Sequence, residues 1–406
     1  MIKFILPIIL KRDAMHAPEF LHELLRPVMH LKRLSTLERL ITGLLKEKKL
    51  SVTQLGRSIE NKAQEKNNIK CSDRFLSNAH LWAERYSIYR QVTQLTVGTN
   101  SRPQIIVDWS HVPNTTCYIL RAALVAKGRA LTLYEEVFPK RLENNPAVHQ
   151  RFLKKIKNLL PDTCRPIVIT DAGFCKPWFH SVRAIGWDYI GRVRGTKKFR
   201  IHEKKTWISY KESEMQATAT ARYLGEGQLT TTQPITTHFY LIKLPKKYRV
   251  SLNKLKKKSH YKKDIEHSKS ANEPWLIVAS MKRLPRLIIN IYASRMEIEE
   301  GFRDLKSSQF GFSFEHAYST KIRRIQVLLM IAMLASFILY LLGWIAEENQ
   351  WQYQFQANTY KHRRVLSLFY LGCRIIKKQL LITSNDIDNA LQKIRFFCLA
   401  DRREIL

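Results

Sequence analysis

Acidic residues are scarce in this 406-residue sequence: 34 Asp and Glu stand against 69 Lys and Arg, a formal charge of +35. Paired cysteines are missing altogether. The six cysteines stand singly at Cys71, Cys117, Cys164, Cys175, Cys373 and Cys398, and the thirteen histidines are as dispersed. No CxxC pair or Cys/His cluster has zinc spacing, which excludes a zinc module and leaves reduced thiols in a cytosolic protein as the expectation. Glycine and proline, 14 each, are too few for a collagen-like or low-complexity chain. With 45% hydrophobic and 10% aromatic residues, the chain has the apolar area that a disordered polycation lacks, and length enough for about two to three domains. A folded protein with so much positive charge needs an acidic partner. Nucleic acid is the first candidate and an anionic membrane surface the second.

Long apolar runs are also few. Phe4–Leu10 contains Pro7 and leads into Lys11-Arg12-Asp13 without a small-residue cleavage site, so it does not read as a signal peptide. Residues 1–16 are therefore taken as an N-terminal extension, with Met15 as an alternative start. Ile325–Ala346 is uncharged over 22 residues, between Arg323-Arg324 and Glu347-Glu348. That length satisfies a membrane span, but a helix apolar all round equally suits the middle of a large soluble core.

Residues 17–100 read as a helical domain. Leu34, Leu37, Ile41, Leu44 and Leu45 recur at helical intervals, with Ser35 as N-cap and Glu38 completing a capping box. Helices opening at Ser51 and Ser72, with basic residues between, are compatible with a DNA-binding module of helix-turn-helix type, although any small basic bundle looks similar. From Pro103 the pattern changes to β-branched apolar runs: 104–110, Tyr118–Val125, Leu131–Val137 and 166–170, with a helix over 148–160. This predicts a mixed α/β sheet with helices on its faces, whose first part covers 101–190. Short strands at Trp187–Arg194, Ala217–Leu224, Thr236–Leu244 and Trp275–Met281 make 191–285 a mostly-β insertion. Within it, residues 243–269 carry eleven Lys or Arg in 27 residues, a basic loop that suits both solvent and phosphate. Helices resume over 286–346 and in a C-terminal region, 347–406.

Asp108 and Asp171 each end an apolar run. A carboxylate there is poorly solvated unless donors compensate, and two such acids on neighbouring strands repel unless a divalent cation lies between them. Magnesium favours such oxygen ligands, and ions held by three acids promote in-line phosphoryl displacement. The third acid is sought in 291–306, which reads as one helix. At about 100° per residue, Tyr292, Arg295, Glu299 and Lys306 fall within an arc of about 60°, whereas Glu297, Glu300 and Asp304 point elsewhere. Standing alone, that face would read as a surface stripe with an Arg295–Glu299 pair at i,i+4.

Tyr-x2-Arg-x3-Glu-x6-Lys, filled by Tyr292, Arg295, Glu299 and Lys306, resembles the signature of one branch of bacterial insertion-sequence transposases, in the DDE family. Ile106–Ser110, Thr170–Phe174, Tyr134-Glu135 and Arg192–Gly195 extend the resemblance over nearly the whole chain after Leu31; the N-terminal extension and the 243–269 loop depart from it. The resemblance implies a ribonuclease H-like α/β core with an inserted mostly-β domain and a helical N-terminal DNA-binding domain. It implies that Asp108, Asp171 and Glu299 are catalytic and bind Mg²⁺, or Mn²⁺ in its place, and that Tyr292, Arg295 and Lys306 grip transposon-end phosphates. Trp275 corresponds to a tryptophan that stacks on a flipped base, although a core role suits it as well. The implied activity is cut-and-paste transposition: cleavage at the element's end, a hairpin intermediate, and strand transfer into target DNA. The implied partners are terminal inverted repeats, target DNA and a second protomer, with no membrane. A non-catalytic DNA-binding regulator and an inactivated transposase are the alternatives.

Overall fold

The computed structural model describes residues 17–204, 206–245 and 273–398. The N-terminal extension and residues 246–269 of the basic loop lie outside the described residues. Helices α1 (Ala17–Leu25), α2 (Leu31–Glu47), α3 (Val52–Arg57), α4 (Glu65–Leu76) and α5 (Ala79–Val97) come first. Strands β1 (Gln104–His111), β2 (Cys117–Val125) and β3 (Ala130–Pro139) precede α6 (Pro146–Leu159), β4 (Ile167–Thr170), α7 (Lys176–Ala184), β5 (Asp188–Val193), β6 (Lys198–Ile201), β7 (Ile208–Ser209) and α8 (Tyr210–Glu214). Then follow β8 (Arg222–Leu229), β9 (Ile235–Ile242), β10 (Trp275–Ala279), α9 (Pro285–Ala293), α10 (Met296–Lys306), α11 (Ile322–Glu348), α12 (Gln352–Phe355), α13 (Leu368–Lys378) and α14 (Ser384–Phe397). The architecture is mixed α/β. The chain divides into two compact units, one holding the chain up to Glu143, Lys154–Cys164 and everything from Met296, the other Asn144–Leu153 and Arg165–Arg295.

In the first unit β1, β2 and β3 form an antiparallel meander in which Asp108 pairs with Arg121 and Arg121 with Glu135. Its core is built around α11. Ile325–Ala346 is buried throughout except at Ser336, packed among α2, α5, α13, α14 and β3. Each Leu or Ile buried this way contributes about 1.5–3 kcal/mol. The helix is long and apolar enough to cross a membrane, but 94% of its apolar window is buried inside the protein, as the core-helix reading expects. A Cβ on Gly372 would lie 2.1 Å from the Leu339 carbonyl oxygen, so only glycine lets α13 lie this close to α11.

The N-terminal helices start elsewhere than expected. His30, not Ser35, caps α2, its ring accepting the Lys32 N–H. Ser35 lies inside the helix, where its carbonyl accepts from Arg39, because nothing in Leu31–Leu34 opposes helix. Ser51 does cap α3, accepting from the Gln54 N–H, whereas Ser72 is buried within α4, which starts at Glu65.

In the second unit β4 and β5 are parallel, joined through α7, with Thr170 opposite Gly191. The sheet continues antiparallel in the order β5-β10-β9-β8-β6-β7. The strand expected at Ala217–Leu224 forms instead at Arg222–Leu229, and β6, β7 and α8 were not anticipated. All three are short. The last is fixed by a reciprocal cap between Ser209 and Glu212.

Candidate active site

The first unit positions Asp108, Ser110, Glu299 and Lys306. Strand β1 is buried up to Val107 and emerges at Asp108, whose Oδ1 accepts the Trp109 N–H at 2.9 Å. Ser110, two residues on, shares the face of Asp108. Lys306 Nζ donates to Ser110 Oγ at 2.8 Å, tying the end of α10 to this strand. Burial, aided by Arg121, pushes the Lys306 ammonium down to about 8 against the opposing pull of Asp108. Glu299 is exposed two turns earlier, and Phe302 lies between the two at helical spacing.

Beneath that face is a buried ion pair. Arg121 Nε donates to Glu135 Oε2 at 2.8 Å, with side chains 7% and 0% exposed. Tyr89 Oη donates to Glu135 Oε1 at 3.1 Å. The Arg121 guanidinium covers the Phe302 ring at 4.3 Å, and Lys306 Nζ lies 5.5 Å from the centre of the same ring.

The second unit positions Asp171, Tyr292, Arg295 and Trp275. Asp171 follows β4, and its Oδ1 accepts the Gly173 N–H at 2.8 Å. A Cβ at Gly173 would stand 3.1 Å from that oxygen. The turn is pinned by Phe174, which stacks on His149 at 5.1 Å and meets Trp178 at 4.8 Å. Burial pushes the His149 imidazole down to about 4, so it packs as a neutral ring. Tyr292 is buried. Burial raises its phenol, Asp171 reinforces this, and Arg295 and Arg192 oppose it. Trp275 is half-buried and meets Tyr292 edge-on at 5.0 Å. The Arg192 guanidinium stands 5.9 Å from its ring, while Arg194 Nε donates to Glu273 Oε2 at 2.9 Å.

The single helix expected over 291–306 is two helices. Ser294 ends α9, its Oγ donating to the Ile291 carbonyl at 2.7 Å, and α10 begins afresh at Met296. A serine hydroxyl that satisfies a carbonyl of the last turn competes with helix continuation. Tyr292 and Arg295 therefore belong to one unit, and Glu299 and Lys306 to the other. Among the described residues no group of three or more His, Cys, Asp or Glu is arranged to hold a metal ion. Asp108 and Glu299 belong to the first unit and Asp171 to the second. As a donor set the three are carboxylates only, the chemistry that suits a hard divalent cation. Sequence reasoning assigned no role to Ser110, Arg121 and Arg192, which the structure sets against Lys306, Phe302 and Trp275. Arg121 was detectable: it sits in the middle of the apolar run Cys117–Val125, where a charge requires a buried partner.

Residues 99–338 match the Transposase DDE domain family. That segment is more than half of the chain and contains every candidate residue above; the protein belongs to this family. It is a transposase, with the DNA cleavage and transposition activity the family implies, and divalent metal ions are what such enzymes generally use. No curated protein matches the chain in sequence. Among solved structures it is similar to a piggyBac transposase synaptic complex with hairpin DNA, at 10% identity and a TM-score of 0.40, covering 94% of this chain and 81% of that one.

Proposed function

We propose that the protein is a cut-and-paste transposase of the branch carrying the Tyr292/Arg295/Glu299/Lys306 signature, built on a ribonuclease H-like core. Asp108, Asp171 and Glu299 together hold Mg²⁺, or Mn²⁺ in its place. The bound cation would polarise the scissile phosphate and lower the proton affinity of the attacking oxygen. Lys306, held on Ser110 beside Asp108, supplies a point charge to a phosphate oxygen; Arg295, steadied by Tyr292 beside Asp171, supplies a planar donor fork. Trp275 offers a ring face to an extruded base. With attacker and leaving group held in line, positioning provides most of the rate. One site thus serves first-strand cleavage, hairpin formation, hairpin opening and joining to target. The helical 17–100 region and the basic surface recognise terminal inverted repeats, and paired ends bring two protomers together.

The observation that supports this reading is the Lys306 Nζ bond to Ser110 Oγ at 2.8 Å, which holds a cation two residues along β1 from Asp108; in the other unit Asp171 and Arg295 both act on the buried Tyr292 phenol. A DNA-binding regulator needs neither. The test uses the duplex DNA that borders the gene, incubated with the purified chain and Mg²⁺ and resolved on denaturing gels. Hairpin-ended products from the wild type, absent with Asp171→Ala, are expected. Binding without any strand cleavage would favour the regulator.

A further inference from the structure

Three strands of the first unit carry a row of charge, Asp108 on β1, Arg121 on β2 and Glu135 on β3, each directly opposite the next. Only Asp108 reaches the surface. Such a row is costly to bury, because each charge leaves water. It is satisfied on one side: Glu135 receives Arg121 on one oxygen and Tyr89 on the other, while Arg85 donates to the Glu135 carbonyl at 2.9 Å. The guanidinium plane that results has one large neighbour on the catalytic helix, the Phe302 ring at 4.3 Å. Phe302 lies three residues after Glu299 and four before Lys306, whose Nζ approaches the same ring and bonds Ser110. The contacts close a circuit from β1 through β2 to α10 and back to β1.

We propose that Arg121, locked by Glu135, is a positioning residue for the transposase reaction: its guanidinium is the seat on which Phe302 fixes the register of α10, and so of Glu299 and Lys306, against Asp108 on β1. An apolar residue at 121 would fill the space but would lack the planar donor fork that Glu135 holds. A planar cation held from behind by a carboxylate specifies the register, because the guanidinium plane is fixed by its fork. This explains why a carboxylate with no exposure lies two strands away from the working acid. The inference rests on the transposase reading but concerns different residues, so the two fail separately.

The test compares Glu135→Gln, Arg121→Lys and Phe302→Leu with wild type and with Asp108→Ala. Four quantities are read: melting temperature, affinity for end DNA without metal, the single-turnover cleavage rate of pre-bound ends, and the Mg²⁺ concentration giving half that rate. Glu135→Gln and Phe302→Leu should cut pre-bound ends about ten- to a hundredfold more slowly, the scale of an ångström-sized misplacement, and should need more Mg²⁺, with end affinity within about twofold of wild type. Arg121→Lys, which keeps the charge but loses the plane, should behave alike. Wild-type rate and Mg²⁺ requirement in Glu135→Gln or Phe302→Leu would overturn the inference. So would a parallel loss of end affinity and rate in all three at unchanged Mg²⁺ requirement. Should a Glu135 variant not fold, Phe302→Leu decides alone. If the wild type itself does not cleave while binding ends, the transposase reading fails; if it cleaves and Asp108→Ala does not, a negative result counts against the positioning role only.

Discussion

The two units hold their candidate residues in different ways. In the first, Asp108, Glu299 and Lys306 stand on a strand and a helix braced by the Arg121–Glu135 pair, which is almost wholly buried, above a core helix that is itself buried. In the second, Asp171 sits in a turn, and Arg194 with Glu273 forms a pair about one-third exposed on each side, beside the half-buried Trp275. Internal ion pairs fix geometry and are expensive to break, whereas exposed ones rearrange cheaply. On the proposed function, the first unit is thus suited to holding acids in place, and the second to accepting phosphates and bases that differ from one step to the next.

The largest test asks whether both units are needed for chemistry at all. Asp108→Ala, Glu299→Ala and Asp171→Ala should each lower strand cleavage by about a thousandfold or more, since each loss forfeits several kcal/mol of charge stabilisation, while gel-shift affinity for end DNA persists. Cleavage surviving Asp171→Ala alone would confine the chemistry to the first unit.

Stability should separate the units next. Glu135→Ala leaves Arg121 buried without its carboxylate and should cost about 3–5 kcal/mol, seen as a large fall in the denaturant midpoint. Arg194→Ala removes a pair screened by solvent and should cost less than about 1 kcal/mol. Equal losses would erase the distinction drawn above.

The same contrast governs how much could be read from the sequence. Strands β1 to β4 and helix α11 were legible because burial on both faces writes largely apolar and uncharged runs, Ile105–Val107 and Ile325–Ala346 among them. The acids emerged from where those runs end. What periodicity could not show was the break at Ser294: the 3.6-residue spacing of Tyr292, Arg295, Glu299 and Lys306 continues through it, whereas the Ser294 hydroxyl bonds the Ile291 carbonyl where one helix ends. Ser35 failed as a cap for the converse reason, a good capping residue in a stretch already helical from Leu31. Strands β6 and β7, of four and two residues, are too short to carry a pattern, and their register is set by neighbours distant in sequence. The ion pair under α10 was half visible, as Arg121 in one apolar strand and Glu135, beside Glu136, in the next; that Arg121 and Glu135 face each other is a fact of register alone.

Smaller in effect is Trp275. Stacking of a base on an aromatic ring is worth about 1–3 kcal/mol. Trp275→Ala should weaken binding of ends with unpaired terminal bases by that amount and leave fully paired ends nearly unchanged, with Trp275→Phe between the two. A uniform loss on both DNAs, accompanied by a lower melting temperature, would return Trp275 to the role of a packing partner for Tyr292.

Smallest is a pH effect that should appear on one unit only. In the free protein Lys306 is held down to about 8 from an ordinary 10.5, burial being the main cause. It is charged below about pH 8 and neutral above. A DNA phosphate stabilises the charged form, so binding takes up a proton there, and metal-free affinity for end DNA should fall as pH rises from 7 to 9. Folding runs the other way. Between about 8 and 10.5 the unfolded chain holds a proton at Lys306 that the folded chain has released, so this group's contribution to stability grows with pH across that window. Lys306→Met should remove both slopes. Tyr292→Phe should leave the affinity slope in place, because the phenol of Tyr292 is raised above its ordinary 10.0 by burial and stays neutral from pH 7 to 9. If Tyr292→Phe rather than Lys306→Met flattens the affinity profile, the titrating contact lies in the second unit, and the division of labour between the units must be redrawn.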